Sequence, residues 1–182
     1  MRLFWRSGYE GVSMSDLTKE IGVAPPSLYA AFGSKAGLYM DALDLYEEKF
    51  GSLDLGSLKE SHTLSQAVRT LLEGAVLAVT HPDRESGCMI SSGMTAYHPD
   101  HATLARDAAL RRNTMRGRIA MALAPFSGEA EATRLGRHLS AVLQGISVQA
   151  RDGATSTELQ EIVEDVVAGV EARASRGGQE SR

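Results

Sequence analysis

The stretch SMSDLTKEIGVAPPSLYAAFGSKAGL, residues 13–38, decides the fold. Ser13 followed by Asp16 has the spacing of a capping box, so a helix begins at Met14. Leu17 and Ile21 share one face of that helix. Gly22 then supplies the residue type that accepts a left-handed conformation at a helix C-terminus. Pro25 opens a second helix where a missing N–H costs nothing. Leu28 and Phe32 again fall four apart, while Ser27, Ala30 and Ala31 leave the other faces slim. The segment reads as a short helix, a tight glycine turn and a second short helix.

Outward from this core, apolar residues recur at spacings of three and four with no sustained period-two alternation, so the chain reads as all-α. Helices are expected near Arg2–Arg6, Met14–Ile21, Pro25–Ala31, Lys35–Phe50, Leu64–Thr80, Gly87–Tyr97, His101–Ala124, Glu129–Arg151 and Ser156–Arg173. The stretch GSLDLGSLKESH, residues 51–62, has no apolar face and reads as a hinge. It divides the chain into residues 1–50 and 51–182. The polar tail after Arg173 is expected to fray.

Composition narrows the function. Nineteen basic against twenty-three acidic residues give a net charge of −4, so any nucleic-acid contact must be local. The single cysteine, Cys88, forms no internal disulfide and no structural zinc site, which excludes a cystine-stapled secreted scaffold. No apolar run approaches the roughly 18 residues of a membrane span, and the first residues lack the apolar core of a signal peptide. A cytoplasmic protein without a membrane partner is expected. No spaced catalytic set occurs, so neither an enzyme nor a cofactor is expected. His98 and His101 bracket Pro99 without further ligands nearby, and no metal is expected there.

The segment resembles the helix-turn-helix of the TetR family of bacterial transcription regulators. The resemblance rests on Gly8-Tyr9, Ser13, Leu17, Ile21-Gly22-Val23, Leu28-Tyr29, Phe32, Ser34-Lys35 and Leu38. It implies an N-terminal helix-turn-helix module followed by a helical ligand-binding and dimerisation domain. It further implies a homodimer, a double-stranded DNA operator and a small-molecule effector, with repression relieved when an apolar ligand binds. In the family, the residues matching Tyr29 and Lys35 contact DNA, mostly its phosphates, and that matching Ser13 often does so. The slim outward residues Pro25, Pro26, Ser27 and Ala30 suit a helix that enters a major groove about 12 Å wide. A lysine in the first turn of a helix opposes the macrodipole, and a phosphate at that end would reverse the sign for Lys35.

Three departures from the family pattern stand out. Ala24 gives up a side-chain N-cap worth about 1 kcal/mol, which Pro25 partly offsets. Gly37 replaces the usual acidic residue and should weaken the first turn of its helix. The first helix is short, and residues 1–38 carry four basic and three acidic side chains, a balance of only +1. Two expectations follow: either the natural chain starts upstream of Met1, or DNA binding is weak and the chain is a dimeric small-molecule binding protein.

In the larger region, Cys88, Met89, Met94 and Tyr97 offer an adaptable apolar lining, and the resemblance puts the effector pocket among the corresponding helices. Leu135, Leu139, Val142 and Ile146 form one seam, and Leu159, Val163, Val166 and Val170 another. The resemblance makes these two helices the dimer interface, a four-helix bundle between subunits. The basic run RDAALRRNTMRGR, residues 106–118, is expected to be a solvated or internally paired face, for which the acidic last helix offers Glu158, Glu161, Glu164 and Asp165 as partners.

Overall fold

A computed structural model describes residues 1–51 and 53–180, the last five as backbone alone. Eight α-helices account for the fold, and no strand occurs among the described residues. They are α1 (Arg2–Ser7), α2 (Met14–Ile21), α3 (Pro25–Phe32), α4 (Lys35–Tyr46), α5 (Leu64–Val79), α6 (Ala102–Ser127), α7 (Glu129–Arg151) and α8 (Ser156–Glu180). Among the described residues no helix is long and apolar enough to cross a membrane.

The chain forms two compact units, Met1–Ser52 with Cys88–Arg112, and Leu53–Gly87 with Asn113–Arg182. Residues 88–112 thus cluster with the N-terminal stretch, and residues 53–87 with the C-terminal one. Within the expected hinge, Ser57–Glu60 form a 3₁₀ turn around the buried Leu58. Ser52 lies outside the described residues.

Aromatic packing holds the first unit together. Phe4, Trp5, Tyr9, Tyr39 and Tyr46 are all at most 5% exposed. Phe4 meets Tyr39 edge-on with ring centroids 5.1 Å apart, and Trp5 meets Tyr46 at 4.7 Å. Leu17 of α2 and Leu28 of α3 join the same cluster, so the two short helices are carried by burial rather than by their own length. After Tyr46, α4 continues as one π-type turn, Glu47–Gly51, where a regular helix to Phe50 was expected.

The segment 87–97 is a series of turns and not a helix. Gly87 has φ +78° and Met94 φ +53°, both left-handed. The Arg112 guanidinium donates to the carbonyls of Ile90 (3.1 Å) and Gly93 (2.7 Å), oxygens that a helix would have spent on its own N–H groups. Apolar spacing alone did not expose that competition.

The second unit packs α5, α7, α8 and the later part of α6. Gly136 of α7 lies so close to α6 that a Cβ there would sit 3.0 Å from Ala120 Cβ. Arg69 of α5 donates to Glu164 of α8 (2.8 Å through Nη2), and Gln160 donates to Glu73 (3.2 Å). The Arg69 bond holds the Glu164 carboxyl at about 2. Helix α8 runs to Glu180, and Ser181 and Arg182 lie outside the described residues.

Arg111 and Arg112 of the basic run are paired, with partners outside α8. Within the first unit, Arg111 pairs with Asp44 (2.6 Å), with Asp107 (2.7 Å) and with Glu47, and Arg112 serves carbonyls. Glu164 is taken by Arg69, and Glu158 caps α8, accepting from the N–H (2.7 Å) and hydroxyl (2.8 Å) of Thr155. The bonds of Arg111 to Asp44 and Glu47 and of Arg69 to Glu164 join residues more than 60 positions apart, and charge spacing carries no information about those.

Candidate functional site

Local chemistry builds the α2–α3 pair as the spacing predicts. Ser13 caps α2: its hydroxyl accepts from the Asp16 N–H (3.1 Å) and donates to the Asp16 carboxylate (2.6 Å), while the Ser13 N–H donates to the same carboxylate (2.8 Å). These bonds hold the Asp16 carboxyl below its ordinary range. Gly22 closes α2 in the left-handed conformation, φ 76° and ψ 28°, with its N–H on Thr18 O. Ala24 gives α3 no side-chain cap, and proline occupies the first turn instead.

Pro25, Pro26, Ser27 and Ala30 are exposed, and Tyr29 is 49% exposed. Leu28 is buried beneath them at 2%. Helix α3 thus presents a slim surface that includes a phenol. Ser13 is exposed as well, but its proton is committed to Asp16, so it is first of all a cap.

Lys35 has neighbours within the chain. It begins α4, whose cap Ser34 accepts from the Gly37 N–H (3.0 Å). Its ammonium lies 4.2 Å from the centroid of the Tyr9 ring and is partly buried. The ring face and the carboxylates of Glu10 and Asp16 offset the unfavourable helix end. Burial lowers the Lys35 pKa from its ordinary value against the opposite pull of those two carboxylates. Burial also raises the Tyr9 phenol, with the Glu10 charge adding to it.

Tyr9 and Glu10 connect this corner to the start of α6. Glu10 accepts from the His98 N–H (2.9 Å) and meets His101 Nδ1 at 2.7 Å, and the first of these bonds is the chief reason its carboxyl is held low. The His101 ring stands edge-on to Tyr9 with centroids 4.8 Å apart. Sequence reasoning missed this cluster, because Glu10 and His101 are separated by 91 positions.

The other two sets of expected residues are dispersed or buried. Met89 (2% exposed) and Met94 (5%) belong to the apolar core of the first unit, Cys88 is half-buried and Tyr97 is exposed. Met89, Met94 and Cys88 pack on the same cluster, and Tyr97 alone of the four is left exposed. In the second unit, cavities lie on α5, α7 and α8 and the end of α6.

Of the expected interface residues, Leu135, Leu139, Ile146, Leu159, Val163 and Val170 are all at most 6% exposed within a single subunit. They pack into the core of the subunit itself, with Leu135 and Val170 also lining a surface groove. Val142 and Val166 remain partly exposed. Beside Val166 runs a groove of about 310 Å³ lined by residues including Arg134, His138, Ile162, Asp165, Gly169 and Arg173.

A sequence model of the family described as "Bacterial regulatory proteins, tetR family" matches residues 1–42. The HTH-type transcriptional repressor ComR of Escherichia coli (strain K12) is 30% identical over 176 residues, covering 89% of this chain and 80% of ComR. The HTH-type transcriptional repressor BdcR of the same organism is 29% identical over 159 residues, covering 86% and 78%. Among solved structures, the TetR family transcriptional regulator CifR, a cysteine mutant complexed with 26-bp double-strand operator DNA, superposes with a TM-score of 0.84. It is 28% identical, with 92% of this chain and 91% of that chain covered. With the capped α2, the left-handed Gly22 turn and the exposed α3 in the region that the family model spans, the chain belongs to the TetR family of bacterial regulatory proteins.

Proposed function

We propose that this chain is a sequence-specific DNA-binding transcriptional repressor, homodimeric and not enzymatic, that a small apolar molecule releases from its operator. The observation that carries this reading is α3, whose outward positions are uniformly exposed and short enough for backbone-close approach to a major groove. ComR and BdcR being repressors, and CifR being bound to operator DNA, support it. Two subunits would engage half-sites about one helical turn apart, in the cytoplasm where the chromosome lies. An effector acts by preferring the dimer geometry that no longer matches this spacing.

The test is fluorescence anisotropy with the DNA upstream of the gene against unrelated DNA of equal length. Equal affinity for both at several salt concentrations would defeat the reading. Lys35→Ala is expected to weaken binding to every sequence and to make the slope of log K against log salt shallower by about 0.9, one phosphate contact. An unaltered slope in a folded variant removes Lys35 from the interface.

The dimer is proposed on the partly exposed face of α7 and α8, where Val142 and Val166 flank the open-sided glycines Gly145 and Gly169. Two such faces permit close helix packing between copies. Val166→Asp is expected to convert a dimer into a monomer in sedimentation velocity while leaving the helical circular dichroism intact. Persistence of the dimer would rule this face out.

A further inference from the structure

The ridge that α3 turns outward carries neither charge nor amide. Over Pro25–Phe32 the sequence PPSLYAAF has no acidic and no basic residue. At 100° per residue, buried Leu28 and partly buried Phe32 define the inner side of this helix. The opposite ridge is Pro26 and Ala30, four positions apart, flanked by Ser27 and Tyr29, and all four are exposed. Side chains that discriminate bases strongly in the major groove are long and planar: arginine on guanine, asparagine or glutamine on adenine, carboxylates on cytosine. None stands on this ridge. Its polar groups are two hydroxyls, and a hydroxyl donates or accepts with little preference between bases. What remains for discrimination is the proline ring and the alanine methyl, and the apolar group displayed in a major groove is the C5-methyl of thymine.

Resting on the DNA-binding reading above, we infer that α3 selects its half-site through thymine methyl groups packed against Pro26 and Ala30, in place of bidentate hydrogen bonds. Both side chains are short, so contact with a thymine methyl requires the α3 backbone to lie deep in the groove. The absence of bulk on Ser27 and Ala31 allows this. Burying one methyl group contributes about a fourfold factor in affinity, so thymine is favoured at several positions by modest steps and no single base pair is decisive. Guanine positions lack a reader on this helix.

The inference is tested with the full chain and duplexes selected from a random pool. In the selected half-site, deoxyuridine replaces thymidine one position at a time, which removes the methyl and preserves pairing. Affinity is expected to fall about fourfold at each contacted position. The loss should shrink in Pro26→Ala or Ala30→Gly, two exposed substitutions whose folding is checked by circular dichroism. At the same positions 5-methylcytosine should bind more tightly than cytosine, because it restores the methyl. Half-sites dominated by guanine, or uridine duplexes that bind as tightly as thymine duplexes, overturn the inference and leave the DNA-binding reading standing. A uridine penalty of equal size in both variants also overturns it, since the methyl then acts through DNA shape. If the pool yields no selected site at all, the DNA-binding reading fails and this inference with it.

Discussion

Replacing Trp5 with alanine is expected to remove about 3–5 kcal/mol of stability from the first unit and to abolish operator binding with it. Trp5 is 2% exposed, edge-on to Tyr46 at 4.7 Å and tilted against Phe50 at 5.6 Å. Beyond the lost area, such aromatic pairs contribute about 0.5–1.5 kcal/mol each. Helix α1 has six residues, and a helix of that length does not persist without tertiary contacts. Phe4 and Trp5 are its fully buried residues, with Leu3 packed partly buried beside them, so truncating Trp5 removes one of the two main anchors of α1. A loss of this size is comparable with the whole stability of many small domains. Urea denaturation followed by circular dichroism measures it, because Trp5 is the chain's one tryptophan and the variant loses its own fluorescent reporter. A midpoint within experimental error of the parent would show that α1 does not depend on this cluster.

Gly37→Ala is expected to destabilise the protein by about 1–3 kcal/mol, reversing the sign that helix propensity assigns to the change. Propensity alone promises a gain of about 1 kcal/mol for alanine inside α4. A Cβ at Gly37, however, would stand 2.2 Å from the carbonyl oxygen of Phe32. The connection from α3 to α4 is only Gly33 and Ser34, with Gly33 at φ +69°, and it folds the end of α3 over the first turn of α4. Backbone oxygen cannot yield as a flexible side chain can. Relief requires unwinding the last turn of α3 or shifting the start of α4, and with it Lys35 from the Tyr9 ring. Chemical denaturation gives the stability. Lower affinity in the DNA-binding assay at temperatures where the variant is folded would report the shift. An increase in stability would mean that the α3–α4 turn is looser than its geometry implies. Glutamate, the usual residue type at this position by resemblance, should be tolerated no better.

Those two residues mark the boundary of what was legible in the chain. Trp5 belongs to a stretch that reads as a short helix, yet nothing in RLFWRS says which rings lie above it. Gly37 looked like a weak point in α4, and the reason for its presence is a carbonyl that only the α3–α4 turn brings near.

The sequence by itself determined the elements whose signals are local. Ser13 with Asp16, Gly22 and Pro25 act on hydrogen bonds within about five residues, so the limits of α2 and the start of α3 follow from them. The family resemblance followed from the same spacing. Tertiary structure decided everything that depended on partners. Helical periodicity established that Leu135, Leu139, Ile146, Leu159 and Val163 would be buried, but a stripe has the same period whether its own subunit or a second copy covers it. The subunit covers these five. Likewise Cys88, Met89, Met94 and Tyr97 have spacings compatible with a helix, and what prevents one is the claim of Arg112, some 20 residues along, on the carbonyls of Ile90 and Gly93. Short-range order is written in neighbouring side chains and backbone angles, whereas competition for a carbonyl, a ring face or an apolar stripe is settled only when distant segments meet.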